Sequence, residues 1–151
     1  MGIEKDIQQA NFRNEHQKLG INIMYTANWL NEKIAGILSQ EDITQQQYNI
    51  LRILRGADKP LSTLQIRARM LDKMSDTSRI VDRLVAKELV EKNTCPTDKR
   101  LVDVVLSKKG FVILEKLDQL NHHLDALMKG ISEKDAITMN QLLDQLREVS
   151  K

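Results

Sequence analysis

Cysteine is almost missing from this chain: Cys95 is the only one in 151 residues. That excludes an internal disulfide framework and any multi-cysteine zinc site. Aromatic residues make up 3%, so a core must be built from aliphatic side chains. Two prolines and six glycines leave little to interrupt a helix, and long helices are expected. No run of about 18 apolar residues occurs, which argues against a membrane span. The opening residues Met1-Gly2-Ile3-Glu4-Lys5-Asp6 carry no apolar signal core, so a cytoplasmic location is expected. They also lack a Ser or Thr at the sixth position, which argues against N-myristoylation. There is no Ser/His/Asp order, phosphate loop or paired metal motif, so neither an enzyme nor a bound cofactor is expected.

What is present is enough for a core. Hydrophobic residues are 41% and charged residues 29% of a length that suits one domain or one small module with helical extensions. The net charge of +2 says little, but its distribution says more. Residues 44–108 hold thirteen Lys and Arg against eight Asp and Glu, while the remainder is mildly acidic. A basic middle attracts polyanions through their phosphates, or is simply a solvated surface.

Apolar spacing divides the chain into helices around one short β segment. Leu19, Ile23, Ala27, Leu30, Ile34 and Leu38 step by three or four and draw one helical stripe. Upstream, Ile3, Ile7, Ala10 and Phe12 continue that helix or begin an arm. Thr44, with Gln47 three residues on, has capping-box spacing for a second helix bearing Tyr48, Leu51 and Leu54. That helix ends near Gly56, which offers a left-handed C-terminal cap. Ser62 and Gln65 repeat the capping-box spacing for a short third helix through Ile66 to Met70. After a turn at Asp72-Lys73-Met74, Ser75 caps a fourth helix carrying Ile80, Val81, Leu84 and Val85. Two short helices joined so tightly read as a helix-turn-helix. Leu89 to Asn93 and Leu101 to Leu106 then read as two strands around a Pro-Thr-Asp tip, a hairpin that forms a wing. Ser107 caps a long helix bearing Phe111, Leu114, Leu117, Leu120, Leu124, Leu127 and Ile131, with Gly130 as its break. A last helix opens at Ser132 and carries Ala136, Met139, Leu143 and Leu146. The expected fold is mainly α with a small β-wing. Residues 1–43 supply an N-terminal helix, 44–108 a winged helix-turn-helix, and 109–151 the C-terminal helices.

The middle of the chain resembles the MarR family of winged-helix transcription regulators. Asp98-Lys99-Arg100, five further residues and Leu106-Ser107 resemble the family's wing signature Asp-x-Arg-x5-Leu-Thr, with Ser in place of Thr. The run from Thr77 to Leu84 resembles its recognition helix, and Leu89-Val90-Glu91-Lys92 the strand leading into the wing. The resemblance runs in helix order from about residue 15 to 148, but its specific motifs sit in residues 61–110. It implies a homodimer held by the first and last helices. It implies binding to a pseudo-palindromic double-stranded DNA operator and, often, a small-molecule effector that releases a repressor. The rival reading is a helical protein-interaction module of the same fold that no longer binds DNA.

The residues then take roles. Ser75, Thr77, Ser78 and Arg79 fall in the first turn of the recognition helix, where free N–H groups and the helix dipole favour phosphate. Arg79 can reach a guanine edge, and Arg83 follows one turn on. The alternative is that Ser75 merely caps and the arginines pair with Asp76 or Asp82. Ser62, Thr63 and Gln65 resemble positions that hold the DNA backbone in the family, or simply cap. The resemblance puts Arg100 into the minor groove with Asp98 bracing the wing, while Lys99 and Thr97 add phosphate contacts. The alternative there is an exposed hairpin salt bridge. His16, Asn22, Tyr25 and Trp29 lie where related proteins hold ligands, or pack at a helix seam. His122 and His123 point about 100° apart on a helix and cannot share an ion as an i, i+4 pair would, so no metal is expected. Cys95 falls in the wing, away from the first helix where thiol-sensing relatives keep their reactive cysteine.

Overall fold

The computed structural model describes residues 2–94, 96–98 and 102–149. Eight helices and three strands appear among them. In chain order these are α1 (Ile3–Asp6), α2 (Glu15–Leu38), α3 (Gln45–Gly56), β1 (Leu61–Ser62), α4 (Thr63–Arg69), α5 (Thr77–Ala86), β2 (Val90–Thr94), β3 (Val102–Leu106), α6 (Lys108–Asp118), α7 (Asn121–Leu127) and α8 (Glu133–Glu148). A 3-10 turn, Ser39–Glu41, follows α2. The chain falls into two compact units, Met1–Asp118 and Gln119–Lys151. The first contains the whole of the expected winged helix-turn-helix.

Local chemistry explains most of the helix starts. Asn14 accepts from the Gln17 amide to begin α2. Thr44 and Gln47 close a reciprocal capping box on α3, and Ser62 and Gln65 do the same on α4. Ser107 starts α6 by accepting from the Gly110 amide at 3.0 Å, while its hydroxyl donates to the Glu88 carbonyl. Gly110 lies so close to the β2 approach that an added Cβ would stand 2.2 Å from the Leu89 carbonyl oxygen. This corner fixes where α6 leaves the wing.

The three strands form an antiparallel sheet in the order β1-β3-β2, with Leu61 opposite Val104 and Val90 opposite Leu106. One face of each α3–α5 helix closes over it. Ile50, Leu51, Leu61, Ile66, Val81, Leu84 and Val104 are fully buried. The core is aliphatic, as the scarcity of aromatics requires.

Several boundaries differ from the sequence reading. Gly56 is the last helical residue of α3, and the cap is Ala57 in extended backbone, so no left-handed glycine is used. The apolar segment after Ser107 is not one long helix. It breaks between Asp118 and Asn121, well before Gly130. The wing is a three-stranded sheet, because Leu61 and Ser62 add a short strand to β3. Ile3 and its neighbours form a separate short helix, α1, whose Glu4 pairs with Lys18 of α2. Among the described residues no helix is long and apolar enough to cross a membrane.

Candidate nucleic-acid interface

The amphipathic spacing of α5 decides what it can offer. Thr77, Ile80, Val81 and Leu84 face the core, which leaves Ser78, Arg79, Asp82 and Arg83 exposed. Arg79 and Arg83 are one turn apart and share a face. The pairing alternative is not what the structure holds. Asp76 is occupied as the helix cap, its Oδ1 accepting from the Arg79 amide at 3.2 Å. Asp82 pairs with Lys92 on β2, which ties the helix to the wing strand. Among the described residues neither Arg79 nor Arg83 has an acidic partner.

Two assignments need correction. Ser75 is not the cap of α5. Its hydroxyl donates to the Asp72 carbonyl at 2.8 Å inside the preceding turn, and the carboxylate of Asp76 caps the helix N-terminus instead. Thr77 does not face solvent: it is 3% exposed, and its Oγ1 is buried without a hydrogen-bond partner. Its side chain faces the core side of α5.

Ser62 and Gln65 are committed to each other, the Ser62 amide donating to Gln65 Oε1 at 2.9 Å and the Gln65 amide to Ser62 Oγ at 3.2 Å. Capping therefore accounts for both. Thr63 is half-buried and, with Ser75 and Ser78, lines a hollow of about 320 Å³ between the starts of α4 and α5. Arg67, one turn further along α4, lines the same hollow, and both it and Arg69 are exposed. The sequence reading missed these two. Their signal was available as a pair of basic residues in the last turn of the positioning helix.

In the wing, Thr97 is exposed and Asp98 half-buried. Lys99 and Arg100, the wing residues expected to meet DNA, lie outside the described residues, as does Cys95.

The expected effector residues lie on α2. Asn22, Tyr25 and Trp29 share one exposed face of α2, but His16 is about 120° round the helix from Asn22. None of the four lines a described cavity. A cleft of about 490 Å³ lies instead beyond them, between Asn31 of α2, Asn49 of α3 and Leu71 and Asp72 of the turn before α5. The rings of His122 and His123 lie with centroids 3.9 Å apart, tilted 39° to one another. No group of three or more His, Cys, Asp or Glu among the described residues is placed to hold a metal ion.

Comparison with known proteins agrees with this geometry. The model of the MarR family matches residues 41–101. The multiple antibiotic resistance protein MarR of Escherichia coli K12 is 31% identical over 112 residues, 72% of this chain and 76% of that protein. The crystal structure of a cysteine-to-serine mutant of E. coli MarR complexed with operator DNA is 28% identical. It covers 91% of this chain and 99% of its own, with a TM-score of 0.82. Bordetella bronchiseptica BpsR, whose DNA binding is regulated by 6-hydroxynicotinic acid, is 17% identical, covers 86% of this chain and 98% of its own, and has a TM-score of 0.76. At that identity the last likeness is one of fold.

Proposed function

The chain belongs to the MarR family, and from that premise we propose that it is a sequence-specific DNA-binding transcription regulator, a homodimeric repressor released by a small-molecule effector. The observation that carries this reading is the outer face of α5. Arg79 and Arg83 stand exposed one turn apart while both carboxylates of that stretch are engaged elsewhere. Such a face suits the major groove, where an arginine reads guanine O6 and N7. Ser78 and the hollow beside it suit a flanking phosphate, with Arg67 as a further cation. The family resemblance assigns Arg100 to the minor groove, Lys99 and Thr97 to phosphates and Asp98 to bracing the wing.

The dimer reading rests on apolar side chains that the single chain leaves uncovered. On α8, Met139, Leu142 and Leu146 are about half exposed, and on α2 so is Leu19. Helix faces of this kind are buried against a second copy. An effector lodged in the cleft between α2, α3 and the turn before α5 would touch both the helix that faces the partner and the turn that precedes the reading helix. In this reading the protein works in the cytoplasm and catalyses no reaction. The unpaired basic face of α5 has no use in an interaction module that had lost DNA binding.

Selection of binding sites from random duplexes tests the proposal. The expected product is a pseudo-palindrome whose half-site centres lie about 10–10.5 base pairs apart. Affinity for it falls steeply between about 50 and 200 mM salt, by a slope near −0.9 per phosphate neutralised. No enriched sequence, or binding that ignores salt, would overturn it.

A further inference from the structure

Lys87 follows the last residue of α5 and reaches 45 residues back along the chain. Its Nζ donates to the backbone carbonyl of Asp42 and, at 3.0 Å, to Oε1 of Gln47. The Asp42 acceptor is at the surface, the Gln47 acceptor is buried. Gln47 is 4% exposed, and the same Oε1 accepts from the Thr44 amide at 3.2 Å to complete the capping box of α3. Asp42 holds a left-handed backbone, φ 53°, in the link that ends α2 and its 3-10 turn. Aspartate is among the few non-glycine residues that adopt that conformation as single residues. The Asp42 carboxylate stands 3.8 Å from the same ammonium. One lysine thus joins three things: the end of α2, the start of α3 and the end of α5.

We propose that Lys87 is a positioning residue that fixes the angle between α2 and the recognition helix α5, and so sets the operator half-site spacing that the dimer accepts. The inference rests on the reading of α5 as the DNA-reading helix and α2 as part of the dimer face. The hydrophobic core holds α5 against α3 through Ile80, Val81 and Leu84. Leu38 and Ile43, on either side of the left-handed link, are buried in that core, while Asp42 between them is exposed and is tied down by polar contacts. Lys87 is the described side chain that reaches from α5 to that link. A small rotation there is magnified along the 24 residues of α2 before it reaches a partner. Because α5 itself is untouched, base preference within a half-site is independent of this lysine.

The test uses the full chain and its selected operator. Duplexes are made with the spacer between half-sites lengthened or shortened by one base pair, and others with single base changes inside a half-site. The parent protein loses at least about tenfold in affinity on either spacer change, comparable to one mismatched base pair. Lys87→Met reduces that penalty to about two- or threefold while leaving the base-change penalties intact, and Lys87→Arg restores the parent pattern. Asp42→Gly relieves the left-handed residue and removes the carboxylate beside the Lys87 ammonium while leaving the Lys87 side chain and the core in place, so it relaxes spacing in the same direction even if Lys87→Met fails to fold. A uniform loss of affinity across all duplexes, with the spacing preference unchanged in both variants, would mark Lys87 as a fold-stabilising residue only and overturn the proposal. A parent chain that binds no duplex at all removes the reading of α5 and this inference with it. A parent that binds while its variants keep the spacing preference removes only the inference.

Discussion

Between residues 44 and 108, Ile50, Leu51, Leu61, Ile66, Leu84 and Val104 are fully buried. In α7 and α8 no residue is buried, and Met139, Leu142 and Leu146 stand 50%, 58% and 48% exposed. Both stretches carry a leucine-rich helical stripe. The difference lies in what is available to cover it. The middle has three strands and three short helices to fold onto one another, and its apolar faces meet within the chain. The terminal helices have no such surface inside their own unit, so their stripes must be met by something else. Periodicity alone therefore reports that a helix has an apolar face, but not whether that face is used within the chain or between chains.

The largest expected effect breaks the second half of that comparison. Leu142→Glu together with Leu146→Glu places charges on the face of α8 that a partner copy would bury. Both leucines are already about half buried, so each loses about half of the 1.5–3 kcal/mol of full burial; over a dimer that is at least about 3 kcal/mol, a weakening on the order of 10²-fold, to which the cost of burying the new charges adds. Sedimentation should then find monomers whose circular dichroism is still helical. An unchanged dimer would show that α8 contributes nothing to assembly.

Leu84→Ala breaks the first half. The residue is fully buried on α5, and its truncation costs about 2–5 kcal/mol of stability, seen as a lower melting temperature. The analogous Leu142→Ala, tested in the monomeric background, should cost far less, because in the single chain that residue is already wet.

Arg79→Ala leaves both halves folded and removes only what the module displays. Discrimination at one operator position should fall by about 1–3 kcal/mol, measured on duplexes with single base changes. If every sequence weakens equally, Arg79 is a phosphate anchor, and Arg83 or Ser78 is the better candidate for base readout. Arg100→Ala should weaken binding broadly, through the minor groove.

The smallest effect concerns the arm at the beginning of the chain. The hydrogen bond from Lys18 holds the Glu4 carboxyl below its ordinary pKa of 4.5, and the same bond raises Lys18 above 10.5. Glu4's contribution is therefore present above pH 4.5 and lost as pH falls through its lowered value. That of Lys18 is complete below pH 10.5 and lost as pH rises through its raised one. Backbone relaxation in α1 should show faster motion at about pH 2–3 than at neutral pH, and little change in the winged module. Salt should blunt the effect in part, because the pair is only half-buried.

Much of the module was legible because its signals are local. Thr44 with Gln47 and Ser62 with Gln65 are capping boxes in sequence and in space. The wing strands follow from β-branched residues flanked by turn chemistry. What was not legible depends on competition between neighbours. Ser75 and Asp76 are both good caps, and only the fold shows that the carboxylate takes the helix while the hydroxyl bonds back into the turn. Thr77 looks like a hydroxyl for phosphate until α5 is seen to turn it inward. The break between Asp118 and Asn121 carries no glycine or proline, and the apolar period runs straight through it. The two-residue strand β1 is too short to leave a periodic signal. Asn22, Tyr25 and Trp29 share one exposed face of α2, as their spacing predicts, and His16 does not.

Sedimentation velocity of the chain, alone and on its selected duplex, is the most direct test of the account. The account predicts a particle of twice 17.4 kDa at micromolar concentration, and one such dimer per pseudo-palindromic duplex. A chain that stays a stable monomer alone and on the duplex, or that leaves every duplex unshifted, would contradict it.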